Sequence, residues 1–315
     1  MNKQSEEIKS IGIIGLGFMG RGIASCLVRS GYNVIACSKD ANEKLEALNH
    51  IASSYKKFID RNTISESETV GWEKRFKYAN SVDELSECEF IIETVGESLE
   101  LKKQIYKAVE SVVGKDVVIA TNTSSILISL LQKDLNNKKR FIGMHWAEPA
   151  EITKYLEISR GEETADYAVE IGRRIGERCG KQPTILNFDI PGLISNRLMY
   201  AMIREATHLV EIGVADIETI DRSFRNDIGW WATLCGPFRW MDLTGIPIYG
   251  KVTETIFPDL SNTDKVPELI KKKIETNSKF YNYKDDEEKE WEAIWTDFTL
   301  DISELVKKHE KKAKF

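Results

Sequence analysis

Cysteine is scarce in this 315-residue chain. The five present (Cys26, Cys37, Cys88, Cys179 and Cys235) are odd in number, widely spaced and include no C-x-x-C. That excludes a disulfide framework and a thiolate zinc pattern, and it suits a reducing compartment. Histidine is scarcer still, at four residues (His50, His145, His208 and His309), and no metal-ligand cluster is read. An excess of basic charge is also missing: 44 Lys and Arg stand against 50 Asp and Glu, for a net charge of −6. Nucleic acid is therefore not an expected partner. No apolar run approaches the ~20 residues that span a bilayer, and Met1 to Ser10 lacks the apolar core of a signal peptide. The expectation is a cytoplasmic globular protein without a membrane partner.

Against that plain background one motif stands out. Ile11-Gly12-Ile13-Ile14 reads as a buried strand, and Gly15-Leu16-Gly17-Phe18-Met19-Gly20 follows at once. Arg21 to Arg29 is helical, with Gly31 as its stop, and Val34-Ile35-Ala36-Cys37 completes a βαβ unit. A G-x-G-x-x-G in that setting predicts a dinucleotide pyrophosphate site. Gly15 permits the turn, Gly17 the approach of backbone amides, and Gly20 the packing of helix on strand. Phe18 and Met19 share the loop. The second strand usually ends in an acid that accepts from the ribose 2′-hydroxyl. Here Ser38-Lys39 stands there, with Asp40 next. Ser38 and Lys39 favour NADP, Asp40 would serve NAD, and both cofactors stay open.

Strand and helix patterns keep alternating: Phe76–Tyr78, Phe90–Val95, Val117–Ala120, Arg140–Met144, Tyr155–Ser159 and Thr184–Leu186 are the strand candidates. This predicts an α/β fold, a doubly wound parallel sheet. Ala41 to Arg75 reads as a charged helix, where Ser54, Lys56, Lys57 and Arg61 form either a solvated face or an anion contact. Asp189-Ile190-Pro191-Gly192 marks a boundary, giving domains 1–189 and 190–315, the second wholly α-helical. Leu193 to Glu211 is apolar on nearly every face, which predicts burial in the helical core or in a homodimer interface. Beyond Asp259 a lysine- and glutamate-rich tail, with Phe280 to Tyr283, Trp291, Trp295 and Phe298, predicts a wrapping helix.

His145 alone among the histidines ends an apolar strand, where catalytic side chains sit in open parallel sheets. The other three, His50 included, read as solvated. Thr121-Asn122-Thr123-Ser124-Ser125 and Tyr155-Leu156-Glu157-Ile158 would bring hydroxyls and a carboxylate to the same edge.

Taken together, the glycine loop, Glu93-x-x-x-Glu97 with Lys102, Asn122-Thr123-Ser124-Ser125, His145-x-x-x-Pro149 with Glu157, and Pro191-Gly192-x-x-x-Asn196-Arg197 are similar to the 3-hydroxyacyl-CoA dehydrogenase family. The similarity runs from about Ser10 to Ile246 and extends to shorter members acting on free hydroxy acids, the L-gulonate 3-dehydrogenase and lambda-crystallin type. It implies a Rossmann-type first domain and hydride transfer between a 3-hydroxyacyl thioester and NAD. A free 3-hydroxy acid as substrate, or a non-catalytic crystallin-like role, is the alternative. It further implies His145 as base paired to Glu157, Ser124 and Asn196 around the substrate, and Glu97, Lys102 and Asn122 near the cofactor. Ser54 and the Arg61 region would lie by coenzyme A phosphates. The chain departs from the family at Ser38 and at Glu148, where members usually carry asparagine; Glu148 is expected to face the substrate.

Overall fold

In the computed structural model residues 7–284 and 286–313 are described, in two compact units, Met1–Leu193 and Ile194–Phe315. The division falls four residues beyond the boundary expected from Asp189.

The first unit follows from its apolar runs. Strands β1 (Ser10–Ile14), β2 (Asn33–Cys37), β3 (Phe76–Ala79), β4 (Phe90–Glu93), β5 (Val118–Thr121), β6 (Phe141–Trp146), β7 (Tyr155–Arg160) and β8 (Gln182–Ile185) form one sheet in the order β3-β2-β1-β4-β5-β6-β7-β8. Helices α1 (Phe18–Arg29), α2 (Ala41–Asp60), α3 (Leu99–Val112), α4 (Ile128–Gln132) and α5 (Asp166–Arg178) provide crossovers. Ile23 and Leu27 of α1 are fully buried, each contributing about 1.5–3 kcal/mol. Further along the sheet, Ile91, Tyr106, Ile119 and Phe141 join a common core. Strand order reverses beside β1 and β4, and the carboxyl ends of those strands open the crevice where doubly wound folds bind ligands. This is a Rossmann-type unit followed by a helical one.

Two expectations need correction. The sheet is not wholly parallel: β7 runs antiparallel to β6, in a register that sets His145 opposite Glu157. The connection between them is only eight residues, too short for a crossover, so the chain must turn back. The helix expected to reach Arg75 ends at Asp60, where Arg61 caps it; short 3-10 turns follow.

In the second unit α6 (Ser195–Glu211), α7 (Ile217–Asn226), α8 (Ile228–Leu234), α9 (Pro237–Thr244), α10 (Ile246–Ile256), α11 (Glu268–Glu275) and α12 (Glu287–Ala313) follow one another. Gly236 and Gly245 precede proline-bearing first turns, which explains why α8 to α10 are short. Among the described residues of this unit, helix α6 keeps apolar side chains exposed, with Leu198 and Tyr200 each 62% exposed. The tail is two helices, and Phe280 to Tyr283 lies between them. No helix among the described residues is long and apolar enough to cross a membrane.

Candidate active site

The glycine loop is built as its spacing requires. Gly15 adopts φ +96°, and a Cβ on Gly20 would stand 2.1 Å from the Gly15 carbonyl oxygen. Neither position tolerates a side chain without moving the turn. Gly17 caps α1, and no side-chain cap and no acidic residue occupies the first turn. The amides and positive end of the helix are thus presented to a pyrophosphate, and the loop fits a dinucleotide. Phe18 is half exposed, with the Arg21 guanidinium over its ring, and Met19 is partly buried beside it.

At the end of β2 Ser38 and Asp40 are both engaged by neighbouring residues. Ser38 donates to Glu43 Oε2, which also accepts from the Leu16 amide at 3.3 Å. Asp40, the alternative ribose acceptor, instead caps α2 through the Asn42 amide at 2.9 Å. Lys39 is exposed. Glu43 went unnoticed in the sequence because five residues separate it from the strand end. The available signal was an acid in the first turn of the helix that follows a strand lacking one.

Beneath the crevice lies a buried polar cluster. Glu93, with no exposed surface, accepts from Lys102 Nζ at 2.8 and 3.0 Å, from the Tyr106 hydroxyl at 2.5 Å and from Thr121 Oγ1 at 2.8 Å. Burial and the adjacent carboxylate push the Tyr106 phenol well above its ordinary value, so it remains a donor. Lys102, expected beside the cofactor, is itself enclosed; its charge is consumed by Glu93 and stands 3.6 Å from Glu97. Glu97 gathers the Asn122–Ser125 loop, accepting from Thr123 Oγ1, from the Ser124 amide at 3.1 Å and from the Ser125 amide at 2.9 Å. Partial burial raises the Glu97 carboxyl, but these bonds and Lys102 more than offset that and hold it below the ordinary range.

His145 is the penultimate residue of β6, and its Nδ1 lies 3.2 Å from Glu157 Oε2; the Glu157 side chain is 1% exposed. Tyr155 meets the imidazole edge-on, 6.0 Å between centroids. Asn122 Oδ1 accepts from the Trp146 amide at 2.9 Å, tying the hydroxyl-rich loop to the histidine strand. The loop after His145 is clamped from three sides. Lys181, buried, donates to the Ala150 and Thr153 carbonyls. Arg29 reaches the Glu151 carbonyl at 3.1 Å. His50 Nε2 stands 2.9 Å from Glu151 Oε1, so His50 is not merely solvated. Burial raises the Glu151 carboxyl, yet His50 beside it brings it below the ordinary range. Sequence separations of about 30 to 120 residues hid all three contacts.

The remaining candidates differ in burial and belong to several elements. Ser54 is buried on the inner face of α2, its hydroxyl sealed from solvent, so it is no surface anion ligand. Its neighbour Tyr55 points the same way, donating to the Ser25 carbonyl of α1. Arg61 is the partly exposed cap of α2 and Glu148 is exposed. Ser124 is partly buried. Asn196 belongs to the second unit, in the first turn of α6.

Residues 10–189 match the NAD-binding domain of 3-hydroxyacyl-CoA dehydrogenase, and residues 192–283 match its C-terminal domain. The 5-formyl-3-hydroxy-2-methylpyridine 4-carboxylate 5-dehydrogenase of Mesorhizobium japonicum is 34% identical over 275 residues, 87% of each chain. A 3-hydroxybutyryl-CoA dehydrogenase of Bradyrhizobium diazoefficiens is 28% identical over 285 residues, covering 88% of this chain and 96% of that one. A crystal structure of a dehydrogenase of the first kind, described as an NAD+-dependent dismutase, superposes with a TM-score of 0.90 at 29% identity, over 96% of this chain and 99% of the other. The (S)-3-hydroxybutyryl-CoA dehydrogenase of Ralstonia eutropha gives 0.74 at 28% identity, over 88% and 100%. With both domains matched and the loop, the buried cluster and the histidine–glutamate pair in place, the chain belongs to the 3-hydroxyacyl-CoA dehydrogenase family and is an oxidoreductase of it.

Proposed function

We propose that this protein oxidises a hydroxyl-bearing carbon with NAD, His145 serving as the base and Glu157 as its orienting partner. The observation that carries this reading is the 3.2 Å contact between His145 Nδ1 and a buried Glu157 carboxylate. A carboxylate on Nδ1 fixes the tautomer, leaves Nε2 to accept the substrate's hydroxyl proton, and stabilises the imidazolium as it forms. Bound NAD supplies the hydride acceptor. Gly15, Gly17 and Gly20 would hold its pyrophosphate. Asn122 and Glu97 would stand toward its nicotinamide half, and Ser124 would hold a substrate oxygen. NAD is preferred to NADP on the strength of the matched NAD-binding domain and the NAD+-dependent structural relative.

For the substrate, a free acid is favoured over a thioester. Ser54 is sealed into the unit where a coenzyme A phosphate contact would need it exposed. The relative that acts on a free pyridine carboxylate also superposes over nearly the whole chain, helical tail included. The thioester reading keeps support from the 3-hydroxybutyryl-CoA relatives. Initial rates with acetoacetyl-CoA, free 3-hydroxybutyrate and the pyridine carboxaldehyde acid, each with both nicotinamides, test it. We expect turnover of a free acid with NAD or NADH. Turnover confined to the thioester overturns the substrate reading, and turnover confined to NADP the cofactor reading.

We also propose a homodimer. The exposed apolar residues of α6, Leu198, Met199, Tyr200 and Met202, have no cover within the described chain, and a closed two-fold contact hides such a face most simply. Light scattering at micromolar concentration should give twice the 35.9 kDa chain mass; a monomer refutes it.

A further inference from the structure

We infer that Glu43, from the first turn of α2, is the carboxylate that reads the cofactor's adenosine ribose, replacing the acid that β2 lacks. The inference rests on the NAD reading above and adds the residue that enforces it. Four observations place Glu43 there. Strand β2 ends at Cys37 and the next residue, Ser38, bears no charge. The Ser38 hydroxyl donates to Glu43 Oε2, which holds the carboxylate at the strand end. The same oxygen accepts from the Leu16 amide at 3.3 Å, inside the glycine loop itself. The other oxygen, Oε1, lies over Gly17, 3.7 Å from where a Cβ would stand. One carboxylate therefore bridges the strand end and the phosphate loop, the two features between which a ribose sits in this fold.

The neighbouring charges leave this role to Glu43. Asp40 is committed to capping α2, Glu46 is paired with Arg21 at 3.1 Å, and Lys44 lies over the Tyr78 ring, 5.3 Å from its centroid. Lys39, the cation that would have welcomed a 2′-phosphate, is exposed to solvent. A carboxylate accepts well from a 2′-hydroxyl and repels a 2′-phosphate, so the selectivity is for NAD. Ser38 acts as a positioning residue, its short side chain leaving room for the longer one that reaches in from the helix.

The test is fluorescence titration of NADH and NADPH on the parent, Glu43→Gln and Lys39→Ala. The parent should bind NADH much the tighter. Glu43→Gln should weaken NADH by about 10- to 100-fold, the range for losing a charge-assisted hydrogen bond, while NADPH binding holds or improves. Lys39→Ala should leave the ratio alone. An unchanged NADH to NADPH ratio in Glu43→Gln overturns the inference while leaving the NAD reading intact. A parent that binds neither nucleotide, or prefers NADPH, defeats the NAD reading and the inference with it. If the glutamine variant is insoluble, Glu43→Asp decides. It keeps the charge but withdraws it by one methylene, so NADPH should still be rejected and NADH weakened. Parent-like NADH affinity in that variant also overturns the assignment.

Discussion

His145→Gln is expected to lower kcat by at least about 100-fold while NADH affinity stays within about twofold. Glutamine approximates the size of the ring but cannot take a proton, and the glycine loop is untouched. The loss should fall on kcat and kcat/KM together, as it does when an interaction made only in the transition state is removed. Glu157→Gln should also be damaging, though less so, because an amide at Nδ1 still fills the space while no longer stabilising the imidazolium. Glu157 is buried opposite His145 in the antiparallel register, so its variant also needs a thermal unfolding curve beside the kinetics. Steady-state rates with NADH titrations decide the matter. A His145→Gln enzyme that turns over at the parent rate removes the assigned base.

Lys102→Met should destabilise the first unit by ~3–5 kcal/mol, the cost of leaving a buried carboxylate without its cation. Glu93 has no exposed surface, and Lys102 supplies its only close cationic contact among the described residues. Tyr106 and Thr121 would remain as donors, but neutral hydrogen bonds do not replace the charge. Adding Glu93→Gln to Lys102→Met should recover a large part of the loss, since the double variant buries no net charge; the non-additivity is the signature of the pair. Urea unfolding followed by circular dichroism measures both. A loss below ~1 kcal/mol in the single variant would mean that the cluster relaxes or admits water. Glu97 connects this stability to the site. Its carboxyl is held below the ordinary range, so its hydrogen bonds to the Asn122–Ser125 loop persist at neutral pH and are lost only as the pH falls through that lowered value.

Much of the fold is legible in the sequence. The apolar runs at Ile11–Ile14 and Phe90–Ile92 lie in the sheet as expected, and the glycine spacing placed the loop between β1 and α1. Such features are local: each strand, turn and helix start is dictated by residues within about ten positions of one another. His145 was visible for the same reason, as a titratable side chain at the end of an apolar strand. Glu157 gained its role through resemblance, because nothing in its own segment distinguishes it from any strand glutamate.

What stayed hidden was set by contacts between segments far apart in the chain. Lys102 looked like a helix-start cation on offer to a ligand; only the packing of α3 on β4 turned it inward to Glu93. Ser54 looked like part of a charged face, and helix phase put it inside. The glycine spacing, the strand runs and the His145 position were determined by the sequence alone, because local sterics and hydrophobic period leave few alternatives. The antiparallel return that pairs His145 with Glu157, the hydrogen bond that brings the Glu43 carboxylate to Ser38, and the clamp of Lys181, Arg29 and His50 on the loop were decided only by tertiary structure. Their partners meet because the sheet register and helix docking bring them together, and no local pattern encodes which distant residue will be there.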